Sequence, residues 1–378
     1  MSAIIDTLVA TGPPDEHSLV ALAEQHGWPP VAGEHVTFMF WGEADAVNVR
    51  HWIHGLPGVL PLRRVGLSPL WFVELKLPAQ SRVEYKLEVV RGGHSEWIID
   101  PRNPHRAYDP FGANSVCYGP GYRAPTWTQP NATSRKGHIE TIEITSEAFG
   151  ETRQVPVYLP ARYRKSNRYP LLIAHDGSDY LRYSSFQVVL DNLIDRLEIP
   201  AMVVALSNPG DRLREYADDP RHARHLVTEL MVALEARYPL LSGPHNRGLL
   251  GASFGAVAAL STAWHYPGYF GRLLLQSGSF AFTDIGHHKR SPEFDPVVTF
   301  INRLRQAPGK PAERVFMSCG MYESLIYENR SMLPVLQQAG IDVRLVEAPD
   351  GHNWENWRDR LREGLSWLFP GPLWMTYE

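Results

Sequence analysis

The spacing of hydrophobic positions changes character twice along the 378-residue chain. Near the N-terminus, residues 15–27 place Leu and Ala at helical intervals, with Asp15 as a suitable N-cap and Gly27 as a stop, which predicts one short helix. From residue 35 onward, Val, Phe, Trp and Tyr alternate with polar residues in short runs that Gly and Pro separate. This alternation is typical of antiparallel strands, and it occurs in residues 35–42, 46–53, 71–78 and 82–90.

These runs predict a small β-sandwich of the immunoglobulin-like kind. Residues 100–131 follow, and their many Pro, Gly and Asn residues indicate a long irregular connector. We place the domain boundary near residue 135. The expected organisation is therefore an N-terminal domain of residues 1–135, with a leading helix and a Pro/Gly-rich connector, and a second domain of residues 136–378.

Beyond the boundary, apolar strands alternate with helices, which predicts a mostly parallel sheet covered on both faces. The expected architecture of the second domain is therefore α/β. The predicted strands are residues 155–160, 169–177, 201–208, 247–253, 272–279, 314–320 and 342–351, and the predicted helices are residues 186–197, 219–238, 253–266, 295–307 and 328–340.

Composition and charge narrow the choice of partners. The chain is 44% hydrophobic and 21% charged, as expected of a globular protein, and its net charge of −4 argues against nucleic acid or an anionic membrane as partner. Two cysteines, Cys117 and Cys319, indicate reduced thiols rather than a disulfide framework. The N-terminus has no basic region before an apolar core, and no apolar run reaches 18 residues. We therefore expect a cytoplasmic protein and leave its oligomeric state open.

One motif points to chemistry. Residues 251–255 read Gly-Ala-Ser-Phe-Gly, between a predicted strand and a predicted helix. This is the context of a nucleophile elbow, in which the serine hydroxyl stands at a sharp strand-to-helix turn. Small residues at Gly251 and Gly255 let the two elements approach, and the helix dipole favours negative charge that develops at Ser253. The alternative is a Gly-rich turn with only a structural role.

A serine nucleophile requires a base and an acid that orients the base. In this fold type the chain order is serine, then acid, then histidine, and His352 follows the last predicted strand in a Gly-containing loop. The acid should follow the preceding strand, where Glu323 and Glu328 both occur. Glu323 lies closer to the strand end and is preferred. Asp350 is a fallback, although it is very near His352 in sequence.

An oxyanion hole needs two backbone N–H groups. One is expected from Phe254, the residue after the nucleophile. The second is expected from the loop after an early strand, through Gly177 or Ser178. No His/Cys cluster has the spacing of a metal site, so we expect neither a catalytic metal nor a cofactor.

Eight segments of the chain carry a resemblance to a known family: "VTFMFWGEADAVNVR", "WFVELKLPAQSRVEYKLEV", "DPRNPHRA", "LLIAHDGSDY", "DRLREYADDPRHARHLVTELMVALEARY", "NRGLLGASFGAVAALSTAWHYPGYFGRLLLQSGSF", "CGMYESLIYENR" and "DGHNWENWRDRL". Through them the chain resembles the enterochelin esterase family, ferric siderophore hydrolases of the esterase D type, over nearly its whole length. The resemblance implies an α/β-hydrolase fold for the second domain, with Ser253 as nucleophile, His352 as base and Glu323 at the acid position. One feature of this chain departs from the family pattern, and one feature varies within the family. Gly255 is followed by Ala256 where the family often has a second Gly, and some members use a Ser–His pair without an acid.

The resemblance further implies a substrate: the trilactone of a tris-catecholate siderophore, whose hydrolysis releases iron inside the cell. Iron would enter only as part of this small-molecule substrate. A bulky anionic iron complex favours cationic and aromatic walls. The first rival function is a carbohydrate or feruloyl esterase, or another carboxylic ester hydrolase, because one scaffold hosts many ester substrates. A second rival is an acyltransferase, which uses the same triad but excludes water. The candidate substrate-binding residues, each of which could instead be a surface charge or a core side chain, are Arg182, Arg212, Arg214, Glu215, Arg221, His222 and Trp354.

Overall fold

A computed structural model describes residues 3–10, 13–283 and 290–372. The chain forms two compact units. The N-terminal unit comprises Met1–Ala124 together with two short later segments, Gly320–Glu323 and Ala348–Asn353. The C-terminal unit comprises the three remaining stretches, Pro125–Cys319, Ser324–Glu347 and Trp354–Glu378.

The N-terminal unit begins with two helices, α1 (Ala3–Ala10) and α2 (Glu16–His26). The predicted helix is confirmed as α2. Its N-cap Asp15 accepts a hydrogen bond from the Ser18 N–H at 2.8 Å, and Gly27 closes it with a φ of 73°. Helix α1 was not predicted. Both helices bury leucine and isoleucine side chains against β-sheet residues of the same unit, among them Met39 and Phe72.

Two antiparallel sheets follow, in the orders β1-β2-β6-β5 and β4-β3-β7-β10-β9, and β8 pairs with β7. They share one core, in which the Phe38 and Tyr85 rings meet edge to face with centroids 4.8 Å apart. The predicted sandwich is therefore confirmed as two sheets around a common core, whereas its immunoglobulin-like character stays a prediction. The strands are β1 (Val31–Ala32), β2 (His35–Trp41), β3 (Ala46–His51), β4 (Val59–Pro61), β5 (Arg63–Arg64), β6 (Leu70–Lys76), β7 (Arg82–Arg91), β8 (His94–Ile98), β9 (Arg106–Asp109) and β10 (Gly112–Tyr118).

The irregular connector predicted for residues 100–131 was wrong in part, because it contains the hairpin β9–β10. Strand β10 pairs with the long central strand β7 and buries Val116 and Cys117. Its short apolar run was hidden by the Gly and Asn residues of the turn before it. The segment after Ala124 belongs to the C-terminal unit. The side-chain amide of Asn192 connects this segment to the C-terminal unit, because it donates to the carbonyls of Trp127 and Gln129.

An eight-stranded sheet in the order β11-β12-β14-β13-β15-β16-β17-β18 organises the C-terminal unit. Strand β12 runs antiparallel to both its neighbours, and the pairs from β14 through β13, β15 and β16 to β17 are parallel, as predicted. Alternate residues of one strand enter opposite cores: Ile173 packs on one face and Leu172 on the other. The strands are β11 (His138–Ser146), β12 (Glu151–Leu159), β13 (Leu171–His175), β14 (Val203–Ser207), β15 (Arg247–Ala252), β16 (Arg272–Gln276), β17 (Arg314–Gly320) and β18 (Asp342–Ala348).

Helices cover both faces of this sheet. The predicted helix 219–238 is confirmed as a continuous helical stretch with a π-helical segment at His225–Leu230. Strand β11 and helices α3, α5 and α11 were not predicted. None of the described helices is both long and apolar enough to span a bilayer. The helices are α3 (Gly177–Tyr183), α4 (Phe186–Asp195), α5 (Arg212–Glu215), α6 (Pro220–Arg224), α7 (Met231–Arg237), α8 (Phe254–His265), α9 (Asp295–Gln306), α10 (Ile326–Gln338) and α11 (Trp354–Leu368).

Candidate active site

Ser253 occupies a strained turn between the centre of the large sheet and a helix. Strand β15 ends at Ala252, helix α8 begins at Phe254, and Ser253 between them has φ 56° and ψ −121°. A left-handed φ is rare for a residue with a side chain and persists only where the surroundings hold it. Three backbone hydrogen bonds hold it here: the Ser253 N–H donates to Gln276 O at 2.9 Å, and its carbonyl accepts from the Ser279 N–H at 3.2 Å and from the Ala256 N–H at 3.1 Å.

Close approach requires glycine at position 251 and favours it at position 255. A Cβ atom at Gly251 would lie 2.1 Å from the carbonyl oxygen of Gly255. A Cβ atom at Gly255 would lie 3.2 Å from a carboxylate oxygen of Asp176 and 3.3 Å from the Cβ of His175. The serine hydroxyl is half-buried and lies 3.2 Å from the Ser279 hydroxyl oxygen. The local geometry is therefore that of a nucleophile elbow.

The predicted oxyanion donors differ in their availability. Phe254 is the first residue of helix α8, so its N–H is not part of the regular helical pattern. Gly177 begins helix α3 directly after strand β13, and a Cβ atom there would lie 2.4 Å from the Cα of Leu206. The Ser178 N–H already donates to Oδ1 of Asn208 at 3.0 Å. This favours Gly177 over Ser178 as the second donor.

Glu323 and His352 are brought together. The Nδ1 atom of His352 lies 2.7 Å from the Oε2 atom of Glu323, and the other oxygen of that carboxylate accepts from the Gly320 N–H at 2.7 Å. The Glu323 side chain is 1% exposed and the His352 side chain 39% exposed. A buried carboxylate on Nδ1 fixes the ring and the tautomer, so Nε2 is the nitrogen that can accept a proton.

The other candidate acids make different contacts. Asp350 accepts from the Gly351 N–H at 2.7 Å, from the Asn353 amide at 2.8 Å and from Arg82 at 3.4 Å. Burial raises the pKa of Asp350 to about 7, even though Arg82 and the other donors favour the carboxylate. Glu328 lies in helix α10 and forms an ion pair with Arg290. The geometry thus supports Glu323 as the acid.

Three of the predicted substrate-binding residues belong to a buried polar cluster beside the elbow. Arg212 makes a bidentate ion pair with Asp176, with a shortest distance of 2.8 Å. Glu215 is buried and accepts two hydrogen bonds from Arg153 at 2.8 and 2.9 Å. Although burial opposes ionisation, the nearby His222, whose Nδ1 lies 3.7 Å from the Glu215 Oε2, and the hydrogen bonds from Arg153 lower the pKa of Glu215 to about 2.

His222 completes this cluster. It is 2% exposed, and its Nε2 lies 3.1 Å from the Nε2 of His175. The Nδ1 atom of His175 must donate to the Leu250 carbonyl at 2.9 Å, which can only accept. Burial and the nearby His222 lower the pKa of His175 to about 3. Both side chains are buried among protein partners, and Glu215 lines a cavity together with Arg214 and Arg221. The substrate-binding roles of Glu215 and His222 stay predictions.

Trp354 is largely buried, and its role as a pocket wall stays a prediction. It is 8% exposed and packs edge to face against Tyr180 and Trp357, with centroids 5.2 and 4.7 Å apart. The three remaining cationic candidates lie in exposed or half-exposed positions. Arg182 lies over the Tyr183 ring, Arg221 pairs with Asp219 at 2.6 Å, and the Arg214 N–H donates to the side chain of Asp211.

A cavity of about 440 Å³ lies within the N-terminal unit and includes His352 in its wall. Sequence reasoning missed the sandwich residues that line it. Two are aromatic and exposed, Trp52 at 53% and Phe111 at 94%, and Lys86 and Asn114 add polar groups. None of the cationic residues predicted for substrate binding is among its lining residues. The sequence feature that could have identified the sandwich residues is the position of two aromatic residues, Trp52 at the end of strand β3 and Phe111 at the tip of the β9–β10 turn.

Within the described ranges, no group of three or more His, Cys, Asp or Glu side chains is arranged to hold a metal ion. The thiols of Cys117 and Cys319 are both buried and reduced. The expected lack of a cofactor stays a prediction.

Comparison with known proteins assigns the class. Residues 146–368, more than half of the chain, match the Esterase family model, described as "Putative esterase". The chain therefore belongs to the Esterase family and is a carboxylic ester hydrolase.

The chain is similar to individual relatives and solved structures at low sequence identity. The chain is 24% identical over 238 residues to an uncharacterized protein of Bacillus subtilis, covering 61% of this chain and 97% of that protein. It is 26% identical to the iron(III) enterobactin esterase of Dickeya dadantii, covering 62% of this chain but only 55% of that protein. The enterobactin esterase of Shigella flexneri, solved in the presence of enterobactin, superimposes with a TM-score of 0.72 at 21% identity, covering 91% of this chain and 94% of that one. A ferulic acid esterase of Anaeromyces mucronatus superimposes with a TM-score of 0.51 at 17% identity, covering 64% and 94%.

Proposed function

We propose that this protein is a serine esterase that opens the ester bonds of a tris-catecholate trilactone siderophore, so that iron is released in the cytoplasm. The observation that carries the substrate class is the extent of the structural likeness. The solved enterobactin esterases align with 91% of this chain, sandwich included, whereas the ferulic acid esterases align with 62–64%. The fold of the hydrolase part alone would leave the substrate open.

The proposed reaction begins at Ser253. Its hydroxyl oxygen attacks an ester carbonyl carbon, and Nε2 of His352 accepts the hydroxyl proton. The imidazolium that forms is stabilised by the buried carboxylate of Glu323, 2.7 Å from Nδ1. The N–H groups of Phe254 and Gly177 are the proposed donors to the oxyanion.

The tetrahedral intermediate then collapses. The C–O bond to the leaving alcohol breaks, and His352 returns the proton to that oxygen, which leaves an acyl group on Ser253. Water adds to the acyl carbon with His352 again as base, and the carboxylic acid departs as the serine hydroxyl is restored. Each ester bond of a trilactone can be cleaved by one such cycle.

The cavity beside His352 supports an aromatic ligand. Trp52 and Phe111 offer ring faces and edges, which pair favourably with catechol rings. Lys86 and the buried Arg82 supply positive charge, although Glu84 and Asp109 lie in the same wall. We therefore assign recognition of the ligand to sandwich side chains, with aromatic contact as the larger contribution.

The test is a substrate panel. The ferric and iron-free forms of a tris-catecholate trilactone are compared with a feruloyl ester and with p-nitrophenyl acetate by kcat/KM. The proposal expects the trilactone to be preferred over the feruloyl ester by at least about tenfold, a difference of about 1.4 kcal/mol in transition-state binding. A feruloyl ester hydrolysed as well as or better than the trilactone would assign the protein to the first rival function.

A further inference from the structure

The segments that carry Glu323 and His352 are built into the N-terminal unit, although each follows a strand of the large sheet. The Glu323 segment has two anchors of its own. The His54 N–H donates to the Tyr322 carbonyl at 2.7 Å, and the Tyr322 hydroxyl lies 2.6 Å from the Ser81 hydroxyl. Both anchors come from the sandwich. The residue directly before Glu323 is thus fixed through its backbone and through its side chain.

The His352 segment is held by the sandwich residue Arg82 at several points. Arg82, at the start of strand β7, donates its backbone N–H to the Pro349 carbonyl at 3.0 Å. Its guanidinium donates to Oδ1 of Asn353 at 2.9 Å and lies 3.4 Å from Oδ1 of Asp350. Asn353 in turn donates to Asp350 at 2.8 Å. Arg82 therefore binds the residues on both sides of His352.

The Arg82 side chain is 0% exposed. A buried guanidinium is costly unless charged and polar partners surround it, and here Glu84, Asp350 and Asn353 do so. A guanidinium also constrains the directions of its hydrogen bonds, because its N–H donors form a rigid planar fork. The buried fork therefore adds a directional constraint to a loop whose backbone also accepts from the Tyr322 N–H, at Asp350 O, at 3.1 Å.

We propose that Arg82 is a positioning residue for catalysis, which holds the loop 349–353 so that His352 stays on Glu323. The proposal rests on the assignment of His352 as base under the proposed function. It makes the sandwich part of the catalytic apparatus for any ester, small ones included, and not only a recognition module for large ones. A displacement of the imidazole by about 1 Å is enough to lower the rate on the order of a hundredfold.

The test uses the full chain and p-nitrophenyl acetate, so that no siderophore is needed. Arg82→Met keeps the length of the side chain and removes the fork. We expect kcat to fall at least tenfold with little change in KM, and the rate at which a fluorophosphonate labels the protein to fall in parallel. Arg82→Lys restores the charge without the fork and should recover part of kcat. A purely structural role would lower the amount of folded protein without changing kcat per active site.

The matched control is Arg50→Met. Arg50 makes a bidentate pair with Glu88 at 2.8 and 2.9 Å, in the same sheet as Arg82. This variant should lose stability but keep kcat within about twofold. If Arg82→Met does not fold, as judged by near-UV circular dichroism, Asn353→Ala takes its place, with an expected kcat loss of several-fold.

The variant His352→Ala distinguishes a failure of the positioning role from a failure of the proposed active site. If His352→Ala is inactive and folded Arg82→Met, or Asn353→Ala in its place, retains wild-type kcat, the positioning role is overturned and the proposed active site stands. If His352→Ala itself retains activity, the proposed active site is overturned, and the positioning role falls with it.

Discussion

The imidazole of His352 and the carboxylate of Glu323 are joined by a 2.7 Å contact between a half-exposed ring and a side chain that is only 1% exposed. The exposed end of this pair can exchange protons with a substrate, while the buried end keeps its charge close to the ring. A second bond, from the Gly320 N–H to Glu323, fixes the carboxylate itself. The pair has the arrangement of the base and acid of a serine hydrolase.

Glu323→Gln should lower kcat on the order of a hundredfold or more, because the amide cannot stabilise the imidazolium and can select the wrong tautomer. His352→Ala should cost more. The measurement is steady-state hydrolysis of p-nitrophenyl acetate by purified, folded variants. Asp350→Asn is the comparison, and we expect its loss to be the smallest of the three. If Asp350→Asn cripples the protein and Glu323→Gln does not, the acid is Asp350.

Ser253→Ala should reduce kcat by several orders of magnitude without unfolding the protein, because nucleophile, base and acid act as a unit. A fluorophosphonate should label Ser253 in the wild type and leave the variant unlabelled, as read by peptide mass spectrometry. Ser279→Ala is the control, because its hydroxyl oxygen is only 3.2 Å from that of Ser253. Ser279→Ala should still be labelled at Ser253, and labelling that moved to Ser279 in Ser253→Ala would argue against a single nucleophile.

Gly251→Ala should be far more damaging than Gly255→Ala. The added Cβ atom would lie 2.1 Å from a backbone oxygen in the first case, where only backbone movement can relieve it. In the second case the nearest atoms are a carboxylate oxygen at 3.2 Å and a Cβ at 3.3 Å, which can shift slightly. Overpacking of this kind costs about 1–3 kcal/mol or more. Thermal denaturation and kcat of both variants give the comparison, and equal effects would mean that the elbow tolerates backbone movement.

These elements differ in how much the sequence alone could predict. The elbow depends on local residue spacing, and the order serine, acid, histidine depends on the order of the strands. Both spacing and strand order can be read from the sequence. The burial of Glu215, His222 and Trp354 depends on how the helices that carry them are rotated on the sheet, and the spacing of residues does not encode that rotation. The hairpin β9–β10 was missed because its pairing partner, β7, is distant in sequence, so only tertiary contact identifies it as a strand.

The association of the loops that carry Glu323 and His352 with the sandwich could not be predicted from the sequence for the same reason. The predicted division at residue 135 placed the candidate nucleophile, base and acid together in residues 136–378. In the structure, segments 320–323 and 348–353 belong to the N-terminal unit. Nothing in the local pattern around Arg82 distinguishes it from other arginines that begin a strand, and its role is visible only through its partners at Asp350 and Asn353.

The buried His175 should make stability depend on pH in acid. Its pKa in the folded protein is about 3, below its ordinary value of 6.5, so between these values the unfolded chain binds a proton that the folded protein does not. Stability therefore falls as pH drops through this window. His175→Gln should have a lower Tm than the wild type at pH 7. Its Tm should fall less than that of the wild type when the pH is lowered to 4. Exposed His245 provides the control, and His245→Gln should keep the wild-type slope. Parallel curves for all three proteins would show that His175 does not titrate in this way.

Trp52 and Phe111 should determine affinity for a large aromatic substrate and have little effect on a small one. Each lines the cavity that includes His352, and truncation removes contact with a catechol ring but no catalytic group. Trp52→Ala should raise KM for the ferric trilactone about tenfold, the effect of losing about 1.4 kcal/mol of binding, and leave kcat/KM for p-nitrophenyl acetate within about twofold.

Trp97 is the matched control for this experiment, because it is 50% exposed, lies on strand β8 of the same unit and does not line the cavity. Trp97→Ala should leave both substrates unaffected. Equal losses for both substrates in Trp52→Ala would indicate damage to the loop of His352 rather than loss of a binding contact. An unchanged KM for the trilactone in both Trp52→Ala and Phe111→Ala would remove the sandwich cavity from substrate recognition, and leave the sandwich only its role in holding the loops of Glu323 and His352.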